Sequence, residues 1–207
     1  ADRSVATTGG GATETAVRIA RAATGRTGVI AFCGGFHGRT LLATAMTGKV
    51  QPYEAPFGTR PGEIYHVPFP DGDITVEDSL KMLGFLFASD IGPDNVAAII
   101  IEPVQGEGGF RIAPPALLRH LRALCDQHGI KLIADEVQSG SARPGKLLGT
   151  EYPGIVLARR CIAKPLAGRM PRSADICRAG LMVPYPPAWL GRHFGCAHPS
   201  PAARCGP

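Results

Sequence analysis

Two carboxylates, Asp135 and Glu136, follow a short apolar run in the stretch LIADEVQ at 132–138. Charged residues are rarely buried without a partner, so a run ending in Asp-Glu implies a positive group close by. If the run is a parallel β-strand, Asp135 lies at its carboxyl end, the edge where open α/β sheets bind ligands. A carboxylate there can hold a cation, a metal or a protonated heterocycle. As an ordinary structural group it would instead cap the following turn. A magnesium-binding strand of a P-loop ATPase would need G-x-x-x-x-G-K-[ST] upstream. The nearest stretch, GGFHGRT at 34–40, has neither the spacing nor the lysine, which excludes that chemistry.

Three further segments carry reactive or charged groups. TTGGGATE at 7–14 runs into a helical pattern, and glycines at a helix N-terminus let backbone N–H groups cradle a phosphate. It is not G-x-G-x-x-G, so it does not point to a dinucleotide. In EPVQGEGG at 102–109, Glu102 and Glu107 lie five residues apart on a glycine-rich stretch. They could pair with arginines or switch between them, or simply form a polar turn. Lys164, within CIAKPLAG at 161–168, is the only lysine after Lys146. An amine in apolar surroundings has a lowered pKa suited to Schiff-base chemistry; the plainer reading is a solvated surface lysine.

The elements that must position these groups alternate. Apolar, β-branched runs at 27–32 (TGVIAF), 96–102 (VAAIIIE) and 130–137 (IKLIADEV) suit strands buried on both faces. Leu117, Leu118, Leu121, Leu124 and Cys125 mark a helix over 115–128, with Gly129 at its C′ position. A second helix is expected over 12–23 and a third over 76–88, with Thr75 as N-cap. Strand, helix, strand makes a right-handed βαβ unit, and the whole reads as α/β with a mainly parallel sheet. After about residue 156 the pattern fails. Pro165, Pro171, Pro184, Pro186, Pro187, Pro199, Pro201 and Pro207 are expected to break any helix or strand of normal length there.

Composition narrows the function classes. The hydrophobic share of 44% and the mean hydropathy of +0.06 fit a soluble globular chain. No apolar run approaches the roughly 20 residues of a membrane span. The N-terminus lacks a signal-peptide core, and the six cysteines show no framework spacing and no C-x-x-C. A zinc or redox centre is therefore not expected, and the compartment reads as reducing and cytoplasmic. The net charge of +5 is uneven: residues 157–207 hold eight of the 22 basic residues and one of the 17 acids. That tail carries +7 and residues 1–156 carry −2. Its arginines lie among Pro, Cys and Gly without a helical stripe, which argues against nucleic-acid binding.

The strings FHGRT (36–40), MTGKVQPY (46–53), IEPVQGEGGF (101–110), LRALCDQHG (121–129) and LIADEVQSG (132–140) resemble class III aminotransferases of the pyridoxal-phosphate fold-type I group. Within the group TGKVQPY favours the 4-aminobutyrate enzymes, with ornithine and acetylornithine aminotransferases as the alternative. The likeness runs from about residue 7 to 156 and covers about half of a family member. It implies a three-layer α/β sandwich, the large cofactor domain, incomplete and without the C-terminal small domain. On this reading 1–156 is a partial cofactor domain. Residues 157–207 are its degenerate Arg/Pro/Cys-rich continuation, open to disorder.

The resemblance also implies roles. Asp135 would pair with the protonated pyridine nitrogen of pyridoxal 5′-phosphate, Gln138 with its phenolic oxygen, and Val137 and Phe36 would cover the two ring faces. His37 belongs to the same cofactor-binding string. Gly9 and Gly10 would hold the phosphate through backbone N–H groups, although the family has Ser where Gly10 stands. Arg39 would bind the distal carboxylate of the substrate, and Glu107 would be the acid that masks an arginine. Lys164 would be the Schiff-base lysine. Here Pro165 follows it, Arg169 replaces a glycine, and His193 stands where the family has a phosphate-contacting threonine. The implied reaction is ping-pong transfer of an amino group from an ω-amino acid to 2-oxoglutarate by a homodimer. The alternative is an inactive fragment that binds at most the cofactor or a full-length partner.

Overall fold

The computed structural model describes residues 2–6, 8–53, 55, 61–140, 145, 148–151, 159–163 and 173–177. Seven strands form one sheet: β1 (Asp2–Ala6), β2 (Gly28–Phe32), β3 (Ile64–Val67), β4 (Val96–Ile101), β7 (Lys131–Glu136), β8 (Arg159–Ile162) and β9 (Ser173–Cys177). Their spatial order is β1-β9-β8-β7-β4-β2-β3. The five strands from β8 to β3 run parallel, while β9 is antiparallel to both β8 and β1. A short hairpin, β5 (Val104–Gln105) with β6 (Arg111–Ile112), leaves the end of β4.

Side chains of successive strand residues point to opposite faces, and the core divides by that parity. Ile30, Phe32, Ile99, Ile101, Leu132 and Ala134 pack against Leu83 and Leu86 of α3 (Val76–Ser89) and Leu117, Leu118 and Leu121 of α4 (Pro115–His128). Val29, Ala31, Ala98, Ile100 and Ile133 face Ala12, Ala16, Val17 and Ala20 of α1 (Gly9–Thr24), with Ala43 and Met46 of α2 (Leu41–Met46) beside them. The result is the expected three-layer sandwich. The small residues on the α1 side let that helix lie close over the central strands.

The helices end as their sequences require. Thr75 caps α3 through a capping box with Asp78, and Gly129 closes α4 at φ 71°. Helix α1 begins at Gly9, three residues earlier than the apolar periodicity predicts, because Thr8 acts as N-cap and accepts from Gly11 N.

The expectation that prolines break any helix or strand of normal length after residue 156 is corrected. Strands β8 and β9 both lie in this region, and Cys161 is fully buried in the α1-side core. Pro165 and Pro171 fall between the two strands, and the proline-free windows suffice for four- and five-residue strands. Lys164, Pro165, Arg169 and His193 lie outside the described residues.

At the end opposite the carboxyl edge of the parallel strands, Arg26 joins three elements. Its Nη1 donates to the carbonyls of His128 at 2.8 Å, Val96 at 3.2 Å and Pro93 at 3.5 Å. Arg26→Ala removes the shared donor for the end of α4 and the start of β4. The expected cost is about 1–3 kcal/mol, read as a lower urea midpoint with an unchanged slope.

Candidate active site

Strands β4 and β7 are paired so that Ile101 lies beside Ala134. The next residue on each is a carboxylate, so register alone sets Glu102 next to Asp135. By parity both continue the rows of Ile100 and Ile133, on the α1 face of the sheet. Glu136 points the other way. It is fully buried and accepts from Gly149 N at 2.6 Å, Thr150 Oγ1 at 2.6 Å and Thr150 N at 3.3 Å. It is the structural member of the Asp-Glu pair.

The third charged group arrives from the segment after β2. His37 is 2% exposed, and its Nδ1 lies 2.8 Å from Asp135 Oδ2. An ionised carboxylate only accepts, so the ring donates here. Asp135 Oδ1 accepts from Val137 N at 3.0 Å. Burial opposes charge on His37, but the hydrogen bond and charge of Asp135, with Glu102 adding, raise its pKa above the ordinary value. Glu102 Oε2 accepts from Phe36 N at 2.8 Å and Oε1 from Gly106 N at 3.5 Å. Burial pushes its carboxyl up to about 7, against the opposing pull of His37 and the two amides and with repulsion from Asp135. Among the described residues, this buried cluster has two carboxylates facing one imidazole. It suits a further cation.

Helix α1 forms a seam with the segment that carries His37 and Arg39. Thr13 Oγ1 donates to the His37 carbonyl at 2.9 Å, and His37 N donates to Thr47 Oγ1 at 3.1 Å. Gly38, at φ 131°, packs on Gly10 so closely that a Cβ there would lie 2.8 Å from Gly10 Cα. Glu14 Oε1 accepts from Thr40 Oγ1 at 2.6 Å, Leu42 N at 3.1 Å and Ala43 N at 3.2 Å. Thr40 makes no side-chain cap of its own, so a residue of α1 caps α2. A Cβ on Gly9 would lie 2.7 Å from Val137 Cγ1. The first-turn N–H groups of Gly9 and Gly10, which have no intrahelical acceptor, therefore open beside the residues following Asp135.

The remaining expected residues gather along the same edge. The Gln138 amide packs on Gly106, leaving no room for a side chain there. Phe36 is half-buried, its ring centre 4.9 Å from that of Tyr53. Arg39 and Glu107 are exposed. The structure thus brings Gly9, Gly10, Phe36, His37, Arg39, Glu107, Asp135, Val137 and Gln138 to one edge of the sheet. Sequence reasoning missed the burial of Glu102 beside Asp135, the cap supplied by Glu14, and Tyr53. The first had a readable signal, since IIIE and LIAD align when the strands are set parallel.

The folded-state pKa of Glu102 lies above its ordinary 4.5. Its contribution to stability is therefore full below about 4.5 and is lost as pH rises through about 7. The raised His37 acts in the same sense. Urea denaturation at about pH 5.5 and about pH 8 should show wild type losing more stability than Glu102→Gln across that window. Equal losses would mean that Glu102 is ionised throughout.

The family model for Aminotransferase class-III matches residues 2–203. The 5-aminovalerate aminotransferase DavT of Pseudomonas putida is 50% identical over 187 residues, which span 89% of this chain and 44% of that protein. The 4-aminobutyrate aminotransferase GabT of Escherichia coli K12 is 49% identical over the same shares. An amine transaminase crystal structure from an uncultivated Pseudomonas species, in the PLP-bound form, superposes with a TM-score of 0.82 at 29% identity. It covers 94% of this chain and 47% of that one. The chain thus spans less than half the length of the relatives it matches, yet the family match runs through almost all of its own sequence. It belongs to the class-III aminotransferases.

Proposed function

We propose that this chain is the cofactor-binding part of a pyridoxal-phosphate-dependent aminotransferase acting on an ω-amino acid of the 4-aminobutyrate or 5-aminovalerate type. The single observation that carries the reading is the buried Asp135–His37 pair, with Glu102 alongside, at the sheet edge where the first turn of α1 opens. The residues fit the group. A buried carboxylate suits a protonated ring nitrogen, and glycine contacts where a Cβ would collide leave backbone N–H groups accessible to a phosphate.

When bound, pyridoxal phosphate supplies an electron sink for ionisation of the carbon bearing the amino group. The chain's part is orientation and electrostatics. Asp135, held in place by His37 and Val137 N, would keep a proton on the ring nitrogen. Val137 and Phe36 would confine the ring faces, and Gln138 would donate to the phenolic oxygen. Gly9 and Gly10 would bind the phosphate through N–H groups alone. Arg39 would take the distal carboxylate of the amino acid, and Glu107 would mask a second cation. Lys164 would carry the cofactor covalently and move the proton at the substrate carbon. The amino acceptor in this reading is 2-oxoglutarate. Assembly as a homodimer belongs to the same proposal, and the exposed Phe110 and Ile112 of the β5–β6 hairpin would offer it an apolar surface.

The test is to add pyridoxal phosphate to the purified chain, reduce with borohydride and map the adduct by mass spectrometry. The expected result is one dominant adduct at Lys164, lost in Lys164→Ala. Labelling spread over surface lysines would overturn the reading.

A further inference from the structure

The segment 46–53 (MTGKVQPY) meets the site through Thr47 and Tyr53, and it is tied to it by backbone as well as side chain. Gly48 pairs with the turn after β2: Gly34 N donates to Gly48 O and Gly48 N to Gly35 O, both at 2.9 Å. A Cβ at Gly48 would lie 2.5 Å from Phe32 O, so only glycine allows this approach. Anchored there, the segment reaches across to the glycine-rich stretch after β4. Lys49 Nζ donates to the Glu107 carbonyl at 2.6 Å, and Tyr53 OH donates to Glu107 Oε2 at 3.0 Å. The Tyr53 ring also meets Phe36 at 4.9 Å between centres, and the Arg39 guanidinium carbon lies 5.7 Å from its centre. One side chain therefore touches an expected ring-face residue, the expected carboxylate-binding arginine and the expected masking acid.

We infer that Tyr53 is a specificity-determining positioning residue, whose hydroxyl pins the Glu107 carboxylate so that the site favours ω-amino monocarboxylates over amino acids bearing an α-carboxylate. The physical reasoning is direct. A fixed anion repels a second carboxylate brought to the reacting carbon, whereas a free glutamate side chain can swing away and admit it. The phenol suits the task because it donates without neutralising its partner. Its own ionisation is disfavoured by the Glu107 hydrogen bond, by desolvation and by the Glu107 charge, so it stays a donor. The ring adds a cation–π contact to Arg39, 5.7 Å from its centre. The inference rests on the aminotransferase reading above.

The test uses the full chain loaded with pyridoxal phosphate, titrated with 5-aminovalerate and with glutamate by calorimetry. Tyr53→Phe keeps the ring contacts and removes only the hydroxyl. The preference for 5-aminovalerate over glutamate should fall by about tenfold, as expected for loss of one hydrogen bond to a charged group. Cofactor affinity should stay within about twofold, since the ring against Phe36 is kept. In a Glu107→Gln background the same substitution should change the preference little, because the anion it holds is gone. A ligand-free readout completes the set: the ultraviolet phenolate titration that Tyr53→Phe removes should lie above the ordinary tyrosine value and fall back in Glu107→Gln. An unchanged preference in Tyr53→Phe, or a parallel loss of cofactor and both amino acids, overturns the inference while leaving the aminotransferase reading intact. Failure of the wild-type chain to bind pyridoxal phosphate at all would overturn that reading and the inference with it.

Discussion

Two acids and one base are buried together at the carboxyl edge of the sheet, and the rest of the site is arranged around that imbalance. Asp135 has His37 at 2.8 Å. Glu102, set beside Asp135 by the pairing of β4 with β7, has backbone N–H groups but no cation of its own among the described residues. Desolvation favours its neutral form. The burial and the neighbouring carboxylate that raise the Glu102 carboxyl would also welcome a cation approaching Asp135. A site short of positive charge is a poor stability device and a good receptor for a protonated heterocycle.

The frame holds this imbalance in place through non-local contacts. Thr13 and Glu14 are consecutive residues of α1, yet they bind His37 and the start of α2, 24 to 29 residues away. The helix whose N-terminus faces the expected phosphate site therefore also sets where His37 and Arg39 begin. The β1 side of the sheet closes in a similar long-range way, with Asp2 paired to Cys177 across β1 and β9. Ser173 Oγ then donates to the carbonyl of Thr8, the N-cap of α1.

The parts of the fold that were legible in the sequence are those with strong local periodicity. Strands β2, β4 and β7 are unbroken apolar runs, and α1, α3 and α4 carry clear apolar faces and caps. Strand β3 is short, and Ile64, Tyr65 and His66 are only half-buried, so no period stands out. Helix α2 has six residues, and its cap comes from another helix; nothing near it in the chain announces it. Strands β8 and β9 were obscured by flanking prolines that never enter them. In the site, the carboxylates at strand ends were readable and their order across the sheet was not. That His37 meets Asp135, 98 residues later in the chain, is a fact of topology rather than of motif.

The adjacency of Asp135 and Glu136 has an arithmetic side. One residue faces the ligand edge and the other holds the 149–151 turn, and only their parity along β7 keeps the two duties apart. A slip of one position would send a longer carboxylate into the space beside His37 and leave the Gly149 and Thr150 donors without an acceptor. A single inserted or deleted residue along β7 therefore exchanges both functions at once. The register of β7, and with it its length, is what the two carboxylates share.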